Sequence, residues 1–211
     1  MGGIASYNKV KNRPKKRAIQ QELYGYAAKF LQRDRVTVVD LPNVRPLNCI
    51  RDMCTAGVPV GDYYGYERDK KVYDQIKHYG YRPTLASGHN RTLLRHKDVV
   101  EDLATSYNKN MKFPHQKVGL FNLDFCGSVT MTLVPKILKG ISQHMDERTA
   151  VVLTFCPRGT QKPKATEVVK QMFCERALEI YGMKKAGAML RSYRDWPSAS
   201  MCSWCYILEK A

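Results

Sequence analysis

"GDYYGYERDKKVYDQIKHYG", residues 61–80, joins two unlike halves, and the way they meet decides the kind of fold. The aromatic run through Tyr63, Tyr64 and Tyr66 suits a pleated, buried strand, and it stops in three charged residues, Glu67, Arg68 and Asp69. A helix-like stretch from Asp69 to Tyr79 follows at once and ends at Gly80. A strand that passes directly into a helix is one unit of an open α/β sheet, and a carboxylate at its end stands where such sheets bind ligands.

The same pattern repeats on both sides. "RVTVVDLPN" (35–43) is a β-branched run that closes with Asp40 and is broken by Pro42, as a buried strand would be. Before it, residues 15–32 place Ile19, Leu23, Tyr26, Ala27, Phe30 and Leu31 at three- and four-residue steps, which predicts an amphipathic helix packed on a sheet. Pro46–Thr55 predicts a short helix stopped by Gly57. Further on, "RPTLAS" (82–87) reads as a third strand and residues 90–107 as a helix with Leu93, Leu94, Val99, Val100 and Leu103 inward. "KVGLFNLDFCG" (117–127) is a fourth strand, and residues 132–145 form a helix that tolerates Pro135 in its first turns. "RTAVVLTFC" (148–156) is a fifth strand, and residues 164–182 a helix stopped by Gly182. Residues 187–196 and 201–210 are strands separated by a turn at Pro197 and Ser198, too short for a crossover, so they pair as an antiparallel hairpin. Five strand–helix units and a hairpin predict an α/β fold: a doubly wound, mostly parallel seven-stranded sheet with helices on both faces. The expected organisation is a flexible basic arm over residues 1–14 and a single Rossmann-like domain over 15–211.

Charge points to a partner. Against 19 acidic residues stand 35 basic ones, a net charge of +16, which favours a polyanion such as nucleic acid. "KVKNRPKKR" (9–17) concentrates part of it. The 44% apolar and 26% charged content excludes a disordered chain. No apolar run matches a bilayer, and residues 1–30 lack the apolar core of a secretory signal, so the expectation is an intracellular protein without stable membrane insertion. A competing reading is that "MGGIAS" offers Gly2 and Ser6 for N-myristoylation, which with the basic run would supply two membrane signals. The seven cysteines, an odd number scattered through apolar segments, read as free thiols. Cys202 and Cys205 lack a second pair, and in a strand they point to opposite faces, so no metal site is expected.

The order of elements, together with "GYERDKKVYDQI", "VVDLPN" and "NLDFCGS", resembles the class I S-adenosylmethionine-dependent methyltransferases over nearly all of residues 15–211. That resemblance implies S-adenosylmethionine as cofactor, with Glu67 accepting from its ribose diol and Arg68 beside it, while Asp69 caps the next helix. It matches Asp40 to the acid that ends the first strand, but Leu41, Pro42 and Asn43 replace the family's glycine-rich turn. An alternative register makes "NCIRDMCTAG" (48–57) the first strand and supplies Gly57. Gly88, His89 and Asn90, after the expected third strand, correspond to adenine contacts, with Asn90 equally able to cap a helix. Asp124 and Phe125 fall at the family's catalytic position, the carboxylate to accept a proton or hydrogen bond from the methylated amine or hydroxyl, the ring to stack on a base.

The motif departs from the Asp/Asn-Pro-Pro-aromatic sequence of amino-methylating DNA enzymes, and Cys126 lacks the preceding proline of cytosine-C5 enzymes and reads as a buried thiol. Asp124, Lys185 and Glu209 are three candidates for the Lys-Asp-Lys-Glu set of ribose 2′-O methyltransferases. For the substrate, Arg158 is a candidate phosphate ligand and Tyr193, Arg194 and Trp196 a stacking wall, with Trp204 in the core. Two functions follow: methyl transfer to a base or ribose of DNA or RNA, or a catalytically inactive relative that binds nucleic acid or assists assembly. The compact chain, with no evident target-recognition domain, points to a viral or mobile-element origin.

Overall fold

The β-branched run before Asp40 forms β1 (Val36–Asp40), buried at every residue, and a strand apolar on both faces belongs inside a sheet covered on both sides. The computed structural model describes residues 13–31, 33–42, 46–78, 92–105, 117–125, 129–157, 164–196 and 199–211. Around β1 the chain runs α1 (Arg13–Ala28), α2 (Pro46–Thr55), β2 (Val60–Glu67), α3 (Lys70–His78), β3 (Thr92–His96), α4 (Val99–Thr105) and β4 (Val118–Asp124). It continues through α5 (Val134–His144), β5 (Met145–Phe155), α6 (Ala165–Met172), α7 (Glu175–Ile180), β6 (Met183–Trp196) and β7 (Ala199–Lys210). The seven strands lie in the order β3-β2-β1-β4-β5-β7-β6, the first five parallel. β7 runs antiparallel to both β5 and β6, so the expected hairpin closes the sheet.

Strand alternation sorts side chains into two cores. On one face Leu23 and Ala27 of α1 and Ile50 and Met53 of α2 meet Val38, Leu120, Val152 and Ile207. On the other, Val99, Leu103, Ile137, Ile141, Val168 and Met172 from α4, α5 and α6 meet Val39, Phe121, Leu123 and Val151. Cys202 and Cys205, three residues apart on β7, fall in opposite cores. Trp204 is core, edge-on to Phe155 with ring centroids 5.0 Å apart. The helix stops read from the sequence hold at Gly57 and Gly182, whose φ angles of 88° and 66° are left-handed values that a side chain would strain.

Four expectations need correction. The third strand is Thr92–His96, a stretch assigned above to a helix, and Leu93 is exposed. Pairing with β2 decides this: Tyr63 to Glu67 lie opposite Thr92 to His96, and α4 begins only at Val99. The helix over 164–182 breaks into α6 and α7 at Phe173 and Cys174, which lets Phe173 stack on Tyr206 at 3.9 Å while Leu178 stays buried. The helix expected over residues 15–32 runs instead from Arg13 to Ala28, with Pro14 in its first turn where the missing N–H costs nothing. Residues 48–55 are helical, which removes the alternative first strand. The candidate acylation site at Gly2 lies outside the described residues. Among those described, no helix is long and apolar enough to cross a membrane.

Candidate active site

Parallel strands bring their carboxyl ends to one edge, and here three end in an acid: Asp40 on β1, Glu67 on β2 and Asp124 on β4. The register sets Asp40 opposite Gly65 and Asn122. Glu67 and Asp124 therefore stand two residues beyond the Asp40 row, about 7 Å farther out at the usual strand rise. As β2 and β4 flank β1, their backbones are separated by two strand spacings, about 10 Å. The early end of β1 leaves a notch between two carboxylates. By alternation Asp40, Glu67, Asn122 and Asp124 all project to the face covered by α1 and α2.

Asp40 is the floor of this notch. It is wholly buried; the Tyr63 hydroxyl donates to one carboxylate oxygen and Asn122 Nδ2 to the other at 2.6 Å. Burial pushes its carboxyl up to about 6, against the pull of Tyr63 and Asn122; the nearby Asp124 charge adds to the rise and a Cys49 hydrogen bond opposes it. A carboxylate with no exposed surface supports a ligand site from below and does not line it, so the direct cofactor contact expected of Asp40 is replaced by a network tying β1, β2 and β4. The chain leaves β1 through Leu41, whose amide donates to the Asn122 carbonyl at 3.0 Å and whose side chain packs on the opposite core. Pro42 is buried, and its Cγ stands 3.2 Å from where a Cβ on Gly65 would be, so Gly65 leaves the room that Pro42 fills.

Glu67 is half-buried, and burial raises its carboxyl above the ordinary range. Its Oε1 accepts from the Asp69 amide at 2.7 Å, while Asp69 Oδ1 caps α3 by accepting from Lys71 and Val72 at 2.8 and 3.2 Å. Arg68 is exposed and lies 3.7 Å from Asp98, beyond β3, directed away from the notch. Asp124 accepts from Lys16 Nζ at 2.5 Å; the two side chains are only 12% and 27% exposed. α1 is further held by Arg17 Nε and Gln21 Nε2, which donate to Asp52 at 2.8 and 3.3 Å. Tyr24 lies beneath these acids, its phenol pushed up first by burial and then by Cys49, Asp40, Asp124 and Asp52.

Phe125 packs on the opposite core, so it and Asp124 serve different faces of the sheet. Gly88, His89 and Asn90 lie outside the described residues, and they precede β3 in the chain, which removes the premise that they follow it. Arg158 and Cys126 also lie outside. Tyr193 is buried, which leaves its ring little surface for a stacking wall; Arg194 and Trp196 pair through the backbone with Ser200 and Ala199, and their side chains lie outside the description. Thr154 is buried, its hydroxyl 2.9 Å from Ser203 Oγ. The Asp124, Lys185, Glu209 set does not converge: Asp124 lies opposite Thr154 and Glu209 opposite Arg148, six residues apart on β5 and thus about 20 Å. Among the described residues no group of three or more His, Cys, Asp or Glu could hold a metal. Sequence reasoning missed Lys16, Tyr63 and Asn122 as site residues. Lys16 carried no signal within a basic run, while Asn122 stood out only as a polar residue inside an apolar strand.

The arrangement is similar to known structures. TYW2 from M. jannaschii, solved in complex with AdoMet, matches with a TM-score of 0.58 at 11% identity, over 99% of this chain and 80% of that one. An rRNA methylase from Streptococcus thermophilus matches with a TM-score of 0.51 at 12% identity, over 91% and 94%. Magnesium protoporphyrin IX methyltransferase (ChlM) from Synechocystis PCC 6803, with bound SAM, gives 0.52 at 13% identity, over 92% and 80%. No family model and no curated protein sequence matches the chain. At these identities the likeness is one of fold, and that fold is methyltransferase-like.

Proposed function

We propose that the notch binds S-adenosylmethionine and that the chain transfers the cofactor's methyl group to nucleic acid. The observation that carries this is the pair of partly buried carboxylates, Glu67 and Asp124, on either side of the end of β1. The residues present fit the nucleoside half of the group. Glu67 is a half-buried acceptor whose bond to Asp69 uses only part of its lone pairs, which leaves capacity for a ribose diol. When bound, the sulfonium supplies an already activated methyl group. Asp124, held in orientation by Lys16, then accepts from the amine or hydroxyl to be methylated and so aligns it. Asp40, Tyr63 and Asn122 keep the three strand ends in place. The nucleic-acid substrate rests on the +16 charge and on the RNA-modifying protein among the similar folds; the porphyrin enzyme among them is why the acceptor is the part to test first. An intracellular setting, inside a host cell for a viral chain, belongs to the same reading.

Calorimetric titration with S-adenosylmethionine tests it. Binding by the intact protein that weakens at least about tenfold in Glu67→Ala is the expected result, since hydrogen bonds to a charged group are at stake. Asp124→Ala should keep cofactor binding and lose labelled-methyl transfer to pooled RNA and DNA. No binding by the wild type, or undiminished binding by Glu67→Ala, overturns the proposal. A second reading, a binding or assembly module without the reaction, is favoured by Leu41 and Pro42 in place of a glycine turn. It predicts retained nucleic-acid binding with no transfer.

A further inference from the structure

The opposite, amino edge of the sheet carries a cleft of about 640 Å³, within the range of ligand sites. Its cations come from four strands that meet there: Arg33 and Arg35 before β1, Lys117 before β4, Arg148 on β5, and Lys210 at the end of the antiparallel β7. Three of them are engaged. Arg33 pairs with Asp146 at 2.7 Å, Arg148 Nε with Glu209 at 2.7 Å, and Lys210 with Glu147. Arg35 and Lys117 are exposed and form no ion pair among the described residues; Lys117 donates to the Gln143 carbonyl at 3.3 Å and, behind Lys210, lies close enough to Glu147 to lower its carboxyl slightly. Thr37 lies opposite Val118, so Arg35 sits one row out from Lys117, with backbones about 6 Å apart, and both line the cleft. Five cations against three acids leave the cleft an excess of positive charge, which the partial charge of about half a unit at the carboxyl end of α1 does not cancel. Phe30, half-buried against Tyr26 at 5.1 Å, gives the cleft an aromatic wall. Cations interleaved with a ring suit a nucleotide better than a carboxylate peptide, because the ring adds base stacking.

We infer that this cleft is a second contact for single-stranded nucleic acid, about one sheet length from the notch, with Arg35 and Lys117 on phosphates and Phe30 against a base. It shares the polyanionic partner of the preceding reading and assigns that partner a surface remote from the chemistry.

The test is fluorescence anisotropy of the full chain with a labelled twelve-nucleotide RNA at several salt concentrations. Arg35→Gln with Lys117→Gln should weaken binding about tenfold and flatten the salt slope by about 1.4, the value for two single-strand phosphates. Phe30→Leu, which preserves apolar packing, should weaken binding about fivefold with the slope unchanged. Lys71→Gln with Lys77→Gln, exposed on α3, should cost less than about twofold. An unchanged slope in the cleft variant, an equal loss in the α3 variant, or equal displacement of the RNA by poly-glutamate of matching charge each overturns the inference. S-adenosylmethionine affinity, measured alongside, should be unaffected by the cleft variant. Cofactor binding without RNA binding overturns the cleft alone, whereas cleft-dependent RNA binding without cofactor binding leaves it standing and overturns the preceding proposal.

Discussion

At the carboxyl edge Asp40 lies wholly buried and is satisfied by neutral donors, Tyr63 and Asn122; at the amino edge Asp146, Glu147 and Glu209 each meet an arginine or lysine that reaches solvent. The first arrangement is costly, because desolvation penalises a charged carboxylate more than two neutral hydrogen bonds restore. The second costs less: Asp146 is buried too, but its arginine reaches solvent, and water screens the Glu147 and Glu209 pairs, whose net worth is small. One sheet thus keeps an acid without a cationic partner where ligands are expected and acids paired to solvent-reaching cations where a polyanion would be met.

The pH dependence of unfolding tests this contrast most strongly. Asp40 in the folded protein titrates at about 6 against an ordinary 3.8, so the folded state binds more protons between these values. The stability it contributes is present below pH 3.8 and is lost as pH rises through 6, a change of about 3 kcal/mol, and Asp40→Asn should flatten that slope in urea titrations. Asn122→Ala removes one donor from a buried carboxylate and should cost about 2 to 3 kcal/mol at pH 8, or about 7 °C in melting temperature. The loss should shrink at pH 5, where Asp40 is largely protonated.

At the amino edge, Gly119→Ala would place a Cβ 2.7 Å from Val36 Cγ1, inside a packed strand pair, and should cost about 1 to 2 kcal/mol by calorimetry. His144, just before β5, has its basicity lowered by burial, so its sign is opposite to that of Asp40. Its contribution is present above pH 6.5 and lost as pH falls, and His144→Gln should remove that acid-side loss. Smallest of all, Lys210→Ala breaks the exposed pair with Glu147 and should leave the melting temperature within about 1 °C. A large effect there, or none at Asn122, would erase the distinction between the two edges.

Much of the fold was legible because periodicity and punctuation agree. β1 follows from a β-branched run ended by Pro42, α2 from Pro46 and Gly57, and the hairpin from the short gap at 197–198. β3 was not, since an edge strand with one neighbour alternates weakly, and adjacent Leu93 and Leu94 fit a helix equally well. At the site, the acids ending β1, β2 and β4 could be named from strand ends alone, as could the cap at Asp69. That Asp40 is sealed beneath Tyr63 and Asn122 could not, because these partners are 23 and 82 residues away in the chain. The same holds for Lys16, brought 108 residues to Asp124 by the packing of α1.

By itself the amino-acid order determined where most strands and helices alternate, hence a mostly parallel sheet, and which residues terminate three of its strands, since these depend on local propensity and period. Only the tertiary structure decided which of those acids is buried and which faces a notch, what holds each, and that Arg35, Lys117 and Phe30 line one cleft at the far edge. Burial and pairing depend on neighbours distant in sequence, and a local pattern carries no record of them.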